Sequence, residues 1–296
     1  MFKKFHFRRR GVLQYAPTSD MEAFLISASR VIGKPRGWER LVRALLPPVK
    51  FEGKEIYLKT MVEGYVFPVD PATMIGWNIH FFHTYEPEVR EQIKSILKPG
   101  GVAFDVGANV GWHTLLMASR VGTLGRVYAF EPNPTSCERL LGAVSQNGFS
   151  QVGVDHGAVT DREGEFGFEA PPAGNLWDGT GHLLATSHGQ SVVSCTTIDH
   201  VVQNQSIDRL DLIKIDVEGW ELSVMRGARQ TIEILRPKVI FEFDSAYVSR
   251  CGGTWMEIAE FFADLRYELF FLNPRHGMVK LDRLQSGCGN LLAVSC

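Results

Sequence analysis

One ten-residue segment constrains the fold more than any other part of the chain. In residues 102–111 an apolar run ends in Asp105, and glycines follow at positions 107 and 111. The next stretch, from Trp112 to Val121, has the apolar content of a helix. A buried strand that leads through a glycine-spaced turn into a helix is typical of nucleotide-binding α/β folds. The first glycine permits a tight turn, and the second lets the backbone approach a ligand.

The acid before the glycines indicates which ligand fits. A dinucleotide site presents bare backbone N–H groups to a pyrophosphate, and a carboxylate at Asp105 would repel that group. It suits an ammonium group instead, such as the amino-acid end of S-adenosylmethionine. Glu131 ends the next apolar run, residues 126–130, where an acid can bond the ribose hydroxyls of an adenosine group. For Asp105 alone, a turn-capping role is the alternative.

Length and composition limit the class of protein. With 296 residues, 45% hydrophobic and 22% charged, the chain is long enough for one large domain, or for one domain with an extension. A formal net charge of -2 argues against a nucleic-acid binder. We interpret the basic cluster of Lys3, Lys4 and Arg8 to Arg10 as a solvated tail rather than a membrane or RNA contact.

Cysteine usage and apolar runs bear on location. The five cysteines are scattered without CxxC spacing, so we expect free thiols rather than a disulfide framework or a zinc site. Gln14, Asp20 and Glu22 interrupt the apolar stretch that a secretory signal requires after its basic start. No apolar run approaches the ~20 residues that span a bilayer. These features predict a cytoplasmic protein without stable membrane insertion, and they leave a homo-oligomer open.

The order of predicted elements indicates the architecture. Residues 1–82 are expected to form an N-terminal extension or cap, and residues 83–296 the main domain. In that domain helices alternate with predicted strands, which indicates a doubly wound α/β sheet with mostly parallel strands. The later strands are predicted at residues 126–130, 151–159, 165–169, 210–215, 238–243, 267–272 and 290–294. Residues 170–190, with Trp177, His182 and His188, are predicted to form an irregular loop near the ligand.

A second acidic centre lies in residues 211–219. Lys214 stands inside an apolar run, and Asp216 and Glu218 follow at its end. Strand alternation puts Lys214 and Asp216 on the same side. A buried lysine needs a carboxylate partner, for which Glu242 on the apolar run 239–243 is the candidate. We assign these four residues to catalysis, and a purely structural salt-bridge network is the alternative for Lys214 and Glu242.

Methyl transfer to a hydroxyl requires that the proton be accepted or the charge be stabilised. A carboxylate such as Asp216 can do so, and so can a divalent cation bridged by Asp216, Glu218, Glu242 and Asp244. The spacing of these acids is not a diagnostic metal motif, so we expect a base without a metal ion. Four histidines are further candidates for the base, although each is better explained as a structural residue: His80, His83, His113 and His182.

Several separated motifs give the chain a family resemblance. It resembles the FkbM family of S-adenosylmethionine-dependent methyltransferases from about residue 85 to residue 243. The motifs that carry the resemblance agree in order and spacing: Tyr85-Glu-Pro-Glu88, Asp105-Val-Gly-Ala-Asn-Val-Gly111, Ala129-Phe-Glu-Pro-Asn-Pro134, Leu212-Ile-Lys-Ile-Asp-Val-Glu-Gly219, and Arg226-Gly-Ala228 with Arg236-Pro237. The resemblance implies the Rossmann-like sheet of class I methyltransferases, with seven strands of which the last is antiparallel.

The resemblance also implies roles for individual residues. Glu131 would hold the ribose, and Pro132, Gly157 and Ala158 would border the adenine. Asp216 would face the methyl group. The residues expected around the amino-acid end and the rest of the cofactor are Tyr85, Glu86, Asp105, Gly107, Asn109, Gly111, His113 and Thr114.

These observations predict an O-methyltransferase that acts on a small-molecule or carbohydrate hydroxyl. FkbM members mostly methylate oxygen on sugars, polyketides and related natural products. The alternatives are a nitrogen- or protein-directed methyltransferase on the same fold and a cofactor-binding protein without catalysis. The acid before the glycines disfavours a nicotinamide-dependent oxidoreductase.

Overall fold

The chain divides into two compact units, residues 1–62 with 66–85, and residues 63–65 with 86–296. The computed structural model describes residues 17, 19–32, 37–48, 56–170, 181–184, 189–274, 276–281 and 289–296. The N-terminal basic cluster, Trp177, His188 and Cys288 lie outside these ranges. No helix within them combines the length and the apolar character that a bilayer crossing requires.

The first unit combines helices with a two-stranded antiparallel hairpin. Its elements are α1 (Asp20–Ile32), α2 (Trp38–Leu45), β1 (Tyr57–Thr60), β2 (Val66–Val69) and α3 (Met74–Phe82). Thr73 caps the start of α3, because its side chain accepts a hydrogen bond from the Gly76 N–H. Helix α3 is buried along most of its length, and its Trp77 indole N–H donates to the Leu46 carbonyl at 2.8 Å.

His80 has a structural position in this unit. Its Nε2 bonds Glu22 Oε1 at 3.0 Å, and the Tyr57 hydroxyl lies 2.9 Å from its Nδ1. All three side chains are buried. The bonds join α1, α3 and β1, so His80 is a satisfied core histidine.

The second unit contains the larger α/β structure. Its helices are α4 (Pro87–Ile96), α5 (Trp112–Val121), α6 (Pro134–Asn147), α7 (Ile198–Asn204), α8 (Glu221–Arg226), α9 (Arg229–Leu235), α10 (Ser245–Arg250) and α11 (Trp255–Asp264). Its strands are β3 (Val102–Val106), β4 (Arg126–Phe130), β5 (Val152–Asp155), β6 (Ala158–Val159), β7 (Gly164–Glu169), β8 (His182–Leu184), β9 (Ser191–Thr196), β10 (Leu212–Ile215), β11 (Lys238–Phe243), β12 (Tyr267–Asn273), β13 (Gly277–Lys280) and β14 (Gly289–Ser295).

The main sheet confirms the predicted doubly wound fold. Its strand order is β13-β12-β14-β11-β10-β3-β4-β5. Strands β5, β4, β3, β10 and β11 are mutually parallel, and β14 runs antiparallel to both β11 and β12. The last strand is therefore inserted in reverse, as expected for a class I methyltransferase. The sheet has one strand more than predicted, because β13 pairs with β12 at the edge.

The centre of this sheet brings the predicted acids together. Strands β3 and β10 pair in register, so that Asp105 lies beside Lys214. Both strands are almost entirely buried, which explains their continuous apolar sequence. Because parallel strands end at the same edge, the residues that follow β3, β4 and β10 gather there.

A second, four-stranded sheet corrects two predictions. Its order is β6-β9-β7-β8. The strand predicted at residues 151–159 is in fact two strands: β5 ends at Asp155 in the main sheet, and β6 begins at Ala158 in the second sheet. The loop predicted at residues 170–190 contains strand β8, which pairs with β7. The short strand predicted at residues 165–169 corresponds to β7, whereas β9 was not predicted.

Candidate active site

The turn after β3 brings two backbone segments into close contact. Gly107 has a φ of 76°, and a Cβ at this position would lie 1.8 Å from the carbonyl oxygen of Asp216. Gly111 has a φ of 90°, and its Cβ would lie 2.7 Å from Leu140 Cδ1. The left-handed backbone favours glycine at both positions, and the close approach leaves no room for a Cβ atom. The close approach at each is to protein atoms: the end of β10 for Gly107 and helix α6 for Gly111.

Asp105 is a buried carboxylate whose hydrogen bonding is incomplete. Its side chain is 0% exposed, and its Oδ2 accepts a 2.5 Å hydrogen bond from the Thr114 hydroxyl. Its Oδ1 has no hydrogen-bond partner, although Lys214 Nζ lies 3.7 Å away. A buried carboxylate oxygen without a donor is costly, and an ammonium group is the kind of donor that would satisfy it. The predicted amino-acid subsite is chemically consistent with these atoms.

Lys214 bonds to a different carboxylate from the one predicted. Its Nζ donates to Asp216 Oδ2 at 3.0 Å and to the Gly107 carbonyl at 3.4 Å. The prediction that Lys214 and Asp216 share a side is confirmed, and the prediction that Glu242 is the partner of Lys214 is wrong. Burial opposes the charge on Lys214, but attraction from Asp216, Asp105 and Glu86 outweighs it and raises the lysine pKa. The ammonium is therefore a permanent charge in this site.

Asp216 and Glu242 form a carboxyl pair that holds one proton. Repulsion from Asp216, followed by burial, raises the pKa of Glu242 to about 9. Burial also opposes ionisation of Asp216, but the Lys214 ammonium and hydrogen bonds from Lys214 and Glu242 lower its pKa. At neutral pH Glu242 is thus protonated and donates to the Asp216 carboxylate. Two like charges in contact are avoided because the lysine favours ionisation of only one partner.

The turn after Asp216 carries two more acids. Glu218 has a left-handed φ of 55°, and it precedes Gly219 with a φ of 107°. Glu221, at the start of α8, stabilises this turn because its Oε1 accepts from the Val217 and Gly219 N–H groups at 3.2 and 3.1 Å. Burial, then repulsion from Asp216 and Glu221, raises the pKa of Glu218 to about 7. Burial raises that of Glu221 to about 7 as well.

Glu86 and His113 form a second polar pair at this edge of the sheet. His113 Nε2 bonds Glu86 Oε2 at 2.8 Å, and Asn290 on β14 donates to Glu86 Oε1 at 3.2 Å. In the sheet register, Asn290 lies opposite Glu242. The Nδ1 atom of His113 is buried and has no partner. The pair therefore connects the starts of α4 and α5 to β14, which is the neighbour of the strand that carries Glu242.

Glu131 is a buried acceptor at the end of β4. Its Oε2 accepts from the Asn109 N–H at 2.7 Å, and its Oε1 from the Asn133 N–H at 2.8 Å. Burial outweighs these two bonds and raises the pKa of Glu131 to about 7. Pro132 follows directly, and its carbonyl accepts from His156 Nε2 at 3.2 Å. The predicted ribose and adenine residues 131 and 132 are therefore adjacent to the end of β5.

Three further predicted cofactor residues have other surroundings in the described residues, and their contact with the cofactor stays a prediction. Tyr85 belongs to the first unit of the chain. Ala158 lies in the apolar core of the second sheet, where it packs with Phe166 and Cys195. A Cβ on Gly157 would meet the Ser194 carbonyl at 2.9 Å, so this glycine also serves the junction with strand β9.

Several residues of the site were not singled out from the sequence. They are Glu221, Asn290, His156 and Trp220, whose indole N–H donates to the Leu183 carbonyl of the second sheet at 3.1 Å. Glu221 follows Gly219 in the first turn of a helix, a spacing typical of a side chain that caps N–H groups, and this signal could have identified it. Asn290 is distant in the chain and carries no such signal.

Two general features of the described residues bear on the chemistry. In those ranges no group of three or more histidine, cysteine, aspartate or glutamate side chains is arranged to hold a metal ion. The four cysteines that lie in them, Cys137, Cys195, Cys251 and Cys296, are free thiols. The acids of the site bond Lys214, backbone N–H groups, the side chains of Thr114, His113 and Asn290, and one another.

Comparison with characterised proteins finds relatives of low identity. The chain is 28% identical over 132 residues to the hexuronic acid methyltransferase AglP of Haloferax volcanii, covering 45% of this chain and 52% of the relative. It is 26% identical over 164 residues to the 2-O-methyltransferase NoeI of Sinorhizobium fredii, covering 49% of this chain and 65% of the relative. The chain thus matches between half and two thirds of the length of each.

Solved structures give a similar but weaker likeness. The methyltransferase FkbM from Methylobacillus flagellatus aligns with a TM-score of 0.43 and 17% identity, covering 73% of this chain and 52% of that one.

The family comparison covers more of the chain. The model of the methyltransferase FkbM domain matches residues 105–269, which begin at the buried Asp105 and include the ends of β4, β10 and β11. This segment is more than half of the chain. Together with the sheet order and the positions of the acids, it shows that the chain belongs to the FkbM methyltransferase family.

Proposed function

We propose that this protein transfers a methyl group from S-adenosylmethionine to a hydroxyl oxygen of a carbohydrate or small-molecule acceptor. Membership of a methyltransferase family supports the reaction class. The observation that supports the cofactor is the buried Asp105 carboxylate, which has an oxygen without a hydrogen-bond partner. The turn that follows it bonds a second buried acid, Glu131, through the Asn109 N–H. Bound S-adenosylmethionine would supply a methyl group activated by its sulfonium charge.

The residues expected to hold the cofactor divide into two sets. Asp105, held by Thr114, offers its free oxygen to the ammonium of the amino-acid part. Glu131 offers the remaining lone pairs of its oxygens to the ribose hydroxyls, while the Asn109 and Asn133 N–H groups fix its orientation. We propose Pro132 and His156 for the adenine border, together with the backbone at Gly157 and Ala158.

The acceptor end is assigned to the acids after β10. Asp216 receives bonds from Lys214 and Glu242, which fix its orientation and lower its pKa. A carboxylate with a lowered pKa is a weak base but a good hydrogen-bond acceptor, so we propose that Asp216 orients the acceptor hydroxyl. Glu218, with a pKa of about 7, is matched to accept the proton near neutral pH. As the new carbon–oxygen bond forms, the hydroxyl proton would pass to Glu218 and the bond between the methyl carbon and sulfur would break, so that the donor would leave as S-adenosylhomocysteine.

The names of the relatives support a sugar hydroxyl as acceptor. One relative is described as a hexuronic acid methyltransferase and another as a 2-O-methyltransferase. The acids around Asp216 would instead favour a cationic acceptor, which keeps a nitrogen-directed reaction as the second candidate. The cytoplasmic location and the role of residues 1–82 as a cap remain predictions.

Titration calorimetry with S-adenosylhomocysteine tests the cofactor, and methyl transfer from labelled S-adenosylmethionine to a panel of neutral, acidic and amino sugars tests the acceptor. Micromolar binding together with label in a sugar ether supports the proposal. Binding with label only in amines would establish the nitrogen-directed alternative. Absence of binding would refute the assignment of Asp105 and Glu131. Asp216→Asn should reduce turnover far more than cofactor affinity.

A further inference from the structure

Three basic side chains converge in the first unit at the end of helix α3. The Ile79 carbonyl, in the last turn of this helix, accepts from the His83 N–H at 3.0 Å and from Lys59 Nζ at 2.7 Å. The shared oxygen places the Lys59 ammonium beside the His83 residue. Arg30, in the last turn of α1, donates its Nε–H to His83 Nε2 at 2.7 Å. Two helices and strand β1 thus direct basic groups to one place.

No acid neutralises this cluster within the residues that the structure describes. The ion pairs found there do not include Arg30 or Lys59, whose hydrogen-bond partners are a histidine nitrogen and a backbone carbonyl. Burial, then repulsion from Arg30, lowers the pKa of Lys59 to about 7. Burial, followed by repulsion from Lys59, Arg30 and His80, lowers the pKa of His83 to about 4. The nearby Glu22 is committed to His80 at 3.0 Å.

The helix ends account for only part of this charge. Each carbonyl end of α1 and α3 carries a partial charge of roughly −0.5, which can stabilise a cation at a helix C-terminus. Two such ends offset about one of the two full positive charges that Arg30 and Lys59 bear when protonated. A structural role in capping therefore explains where the cations lie, but within the described ranges it leaves positive charge uncompensated.

The free groups of the cluster are all donors. Because Arg30 can only donate, His83 accepts through Nε2 and carries its proton on Nδ1. Arg30 retains its other guanidinium N–H groups, and Lys59 retains ammonium N–H groups beyond the one bonded to Ile79. An oxyanion is a ligand that accepts hydrogen bonds from several donors at once, and its charge is attracted to an arginine and a lysine that lie together.

We propose that Arg30, Lys59 and His83 form a binding site for a phosphate-type oxyanion on the first unit. Arg30 supplies a planar pair of N–H groups to two phosphate oxygens, and Lys59 supplies a point charge to the third. The phosphate is either free, as in inorganic phosphate or a phosphorylated small molecule, or the headgroup of an acidic lipid. The site is independent of the methyl-transfer proposal.

Calorimetry of the full chain with inorganic phosphate at low ionic strength tests the site. Removal of one charged donor should weaken binding by about tenfold, so Arg30→Gln and Lys59→Met should each show this loss. Lys59→Arg should retain most of the affinity. Arg40→Gln is the matched control, because Arg40 is an exposed arginine on α2 outside the cluster.

The outcomes separate clearly. Saturable phosphate binding that falls in Arg30→Gln and Lys59→Met, with Arg40→Gln unchanged, supports the site. Absence of binding to the wild-type chain, or equal affinity in all variants, overturns it. Thermal melting checks that each variant is folded. Co-sedimentation with phosphatidylcholine vesicles, with and without phosphatidic acid, identifies the source: Arg30-dependent sedimentation with phosphatidic acid indicates a lipid headgroup, and its absence beside phosphate binding indicates a soluble ligand.

Discussion

Replacing Lys214 by methionine should destabilise the second unit by about 3 kcal/mol. The substitution keeps the length of the side chain and removes one ammonium from between two carboxylates, at 3.0 Å from Asp216 and 3.7 Å from Asp105. Breaking a buried ion pair costs about 3–5 kcal/mol because a charge remains without its partner. The lower end applies here: the Asp216 side chain is 29% exposed and can regain water, whereas Asp105 is 0% exposed and cannot.

The pH dependence of this loss follows from the direction of the pKa shifts. The Lys214 pKa is raised, so its contribution is present below its unfolded pKa and is lost only as pH rises through the folded value. The Asp216 pKa is lowered, so its contribution is present above its unfolded pKa and is lost as pH falls through the folded value. The difference in unfolding free energy should therefore be present at neutral pH, and it should decline as pH falls through the folded pKa of Asp216 or rises through that of Lys214.

Urea denaturation of the wild-type and Lys214→Met proteins measures the difference. The matched control is Lys238→Met, because Lys238 begins the neighbouring strand β11 without a described ion pair. This control should change stability by less than about 0.5 kcal/mol. A loss below about 1 kcal/mol in Lys214→Met, or a loss equal to that of the control, would refute the ion-pair reasoning.

Four further changes test individual groups. Gly107→Ala should cost at least about 2 kcal/mol in urea denaturation, whereas Gly100→Ala, with a φ of 81° and no atom within 4 Å of its Cβ, should cost only about 1; equal costs would contradict the close approach. Glu131→Ala should weaken S-adenosylhomocysteine binding about tenfold in calorimetry, and unchanged affinity would exclude the ribose role. The wild-type kcat should rise with pH near pH 7, because the Glu218 carboxylate is lost as pH falls through its pKa of about 7. Glu218→Gln should remove this rise. The wild-type kcat should decline near pH 9, where Glu242 loses the proton that it donates to Asp216. Glu242→Gln should keep its activity at pH 7 and show no such decline, because the amide N–H still donates. If the rise persists in Glu218→Gln, or the decline in Glu242→Gln, that feature belongs to another group.

The elements that could be predicted from sequence are those whose signals are local. The buried runs at β3, β10 and β11 are apolar because both faces of a parallel sheet are covered, so burial is visible in the sequence itself. The positions of Asp105 and Glu131 at the ends of strands could be predicted, because each of them stands at the end of an apolar run. The antiparallel direction of β14 was predicted from the family resemblance and not from any property of residues 289–295.

The parts that were missed depend on contacts between distant residues. Glu242 looked like the partner of Lys214 because its strand is adjacent, but in the sheet Lys214 pairs with Ile240 on that strand, two residues before Glu242. Asp216 follows directly after the strand that carries Lys214, and its carboxylate bonds the Lys214 ammonium at 3.0 Å. Likewise the sequence pattern predicts one strand over residues 151–159, although the chain changes sheets after Asp155 and Ala158 belongs to the second sheet.

The proton on Glu242 changes the charge around Lys214. Repulsion from Asp216, followed by burial, raises the pKa of Glu242 to about 9, so this acid keeps its proton at neutral pH. Asp216 has a lowered pKa beside the Lys214 ammonium and stays a carboxylate. The proton on Glu242 therefore removes one negative charge from the acids beside Lys214. The remaining acids would complement the sulfonium and ammonium groups of the proposed methyl donor, and they would oppose a dinucleotide, whose pyrophosphate adds negative charge at the same edge of the sheet. In the proposed reaction, the hydrogen bond from protonated Glu242 would hold Asp216 in position for the acceptor.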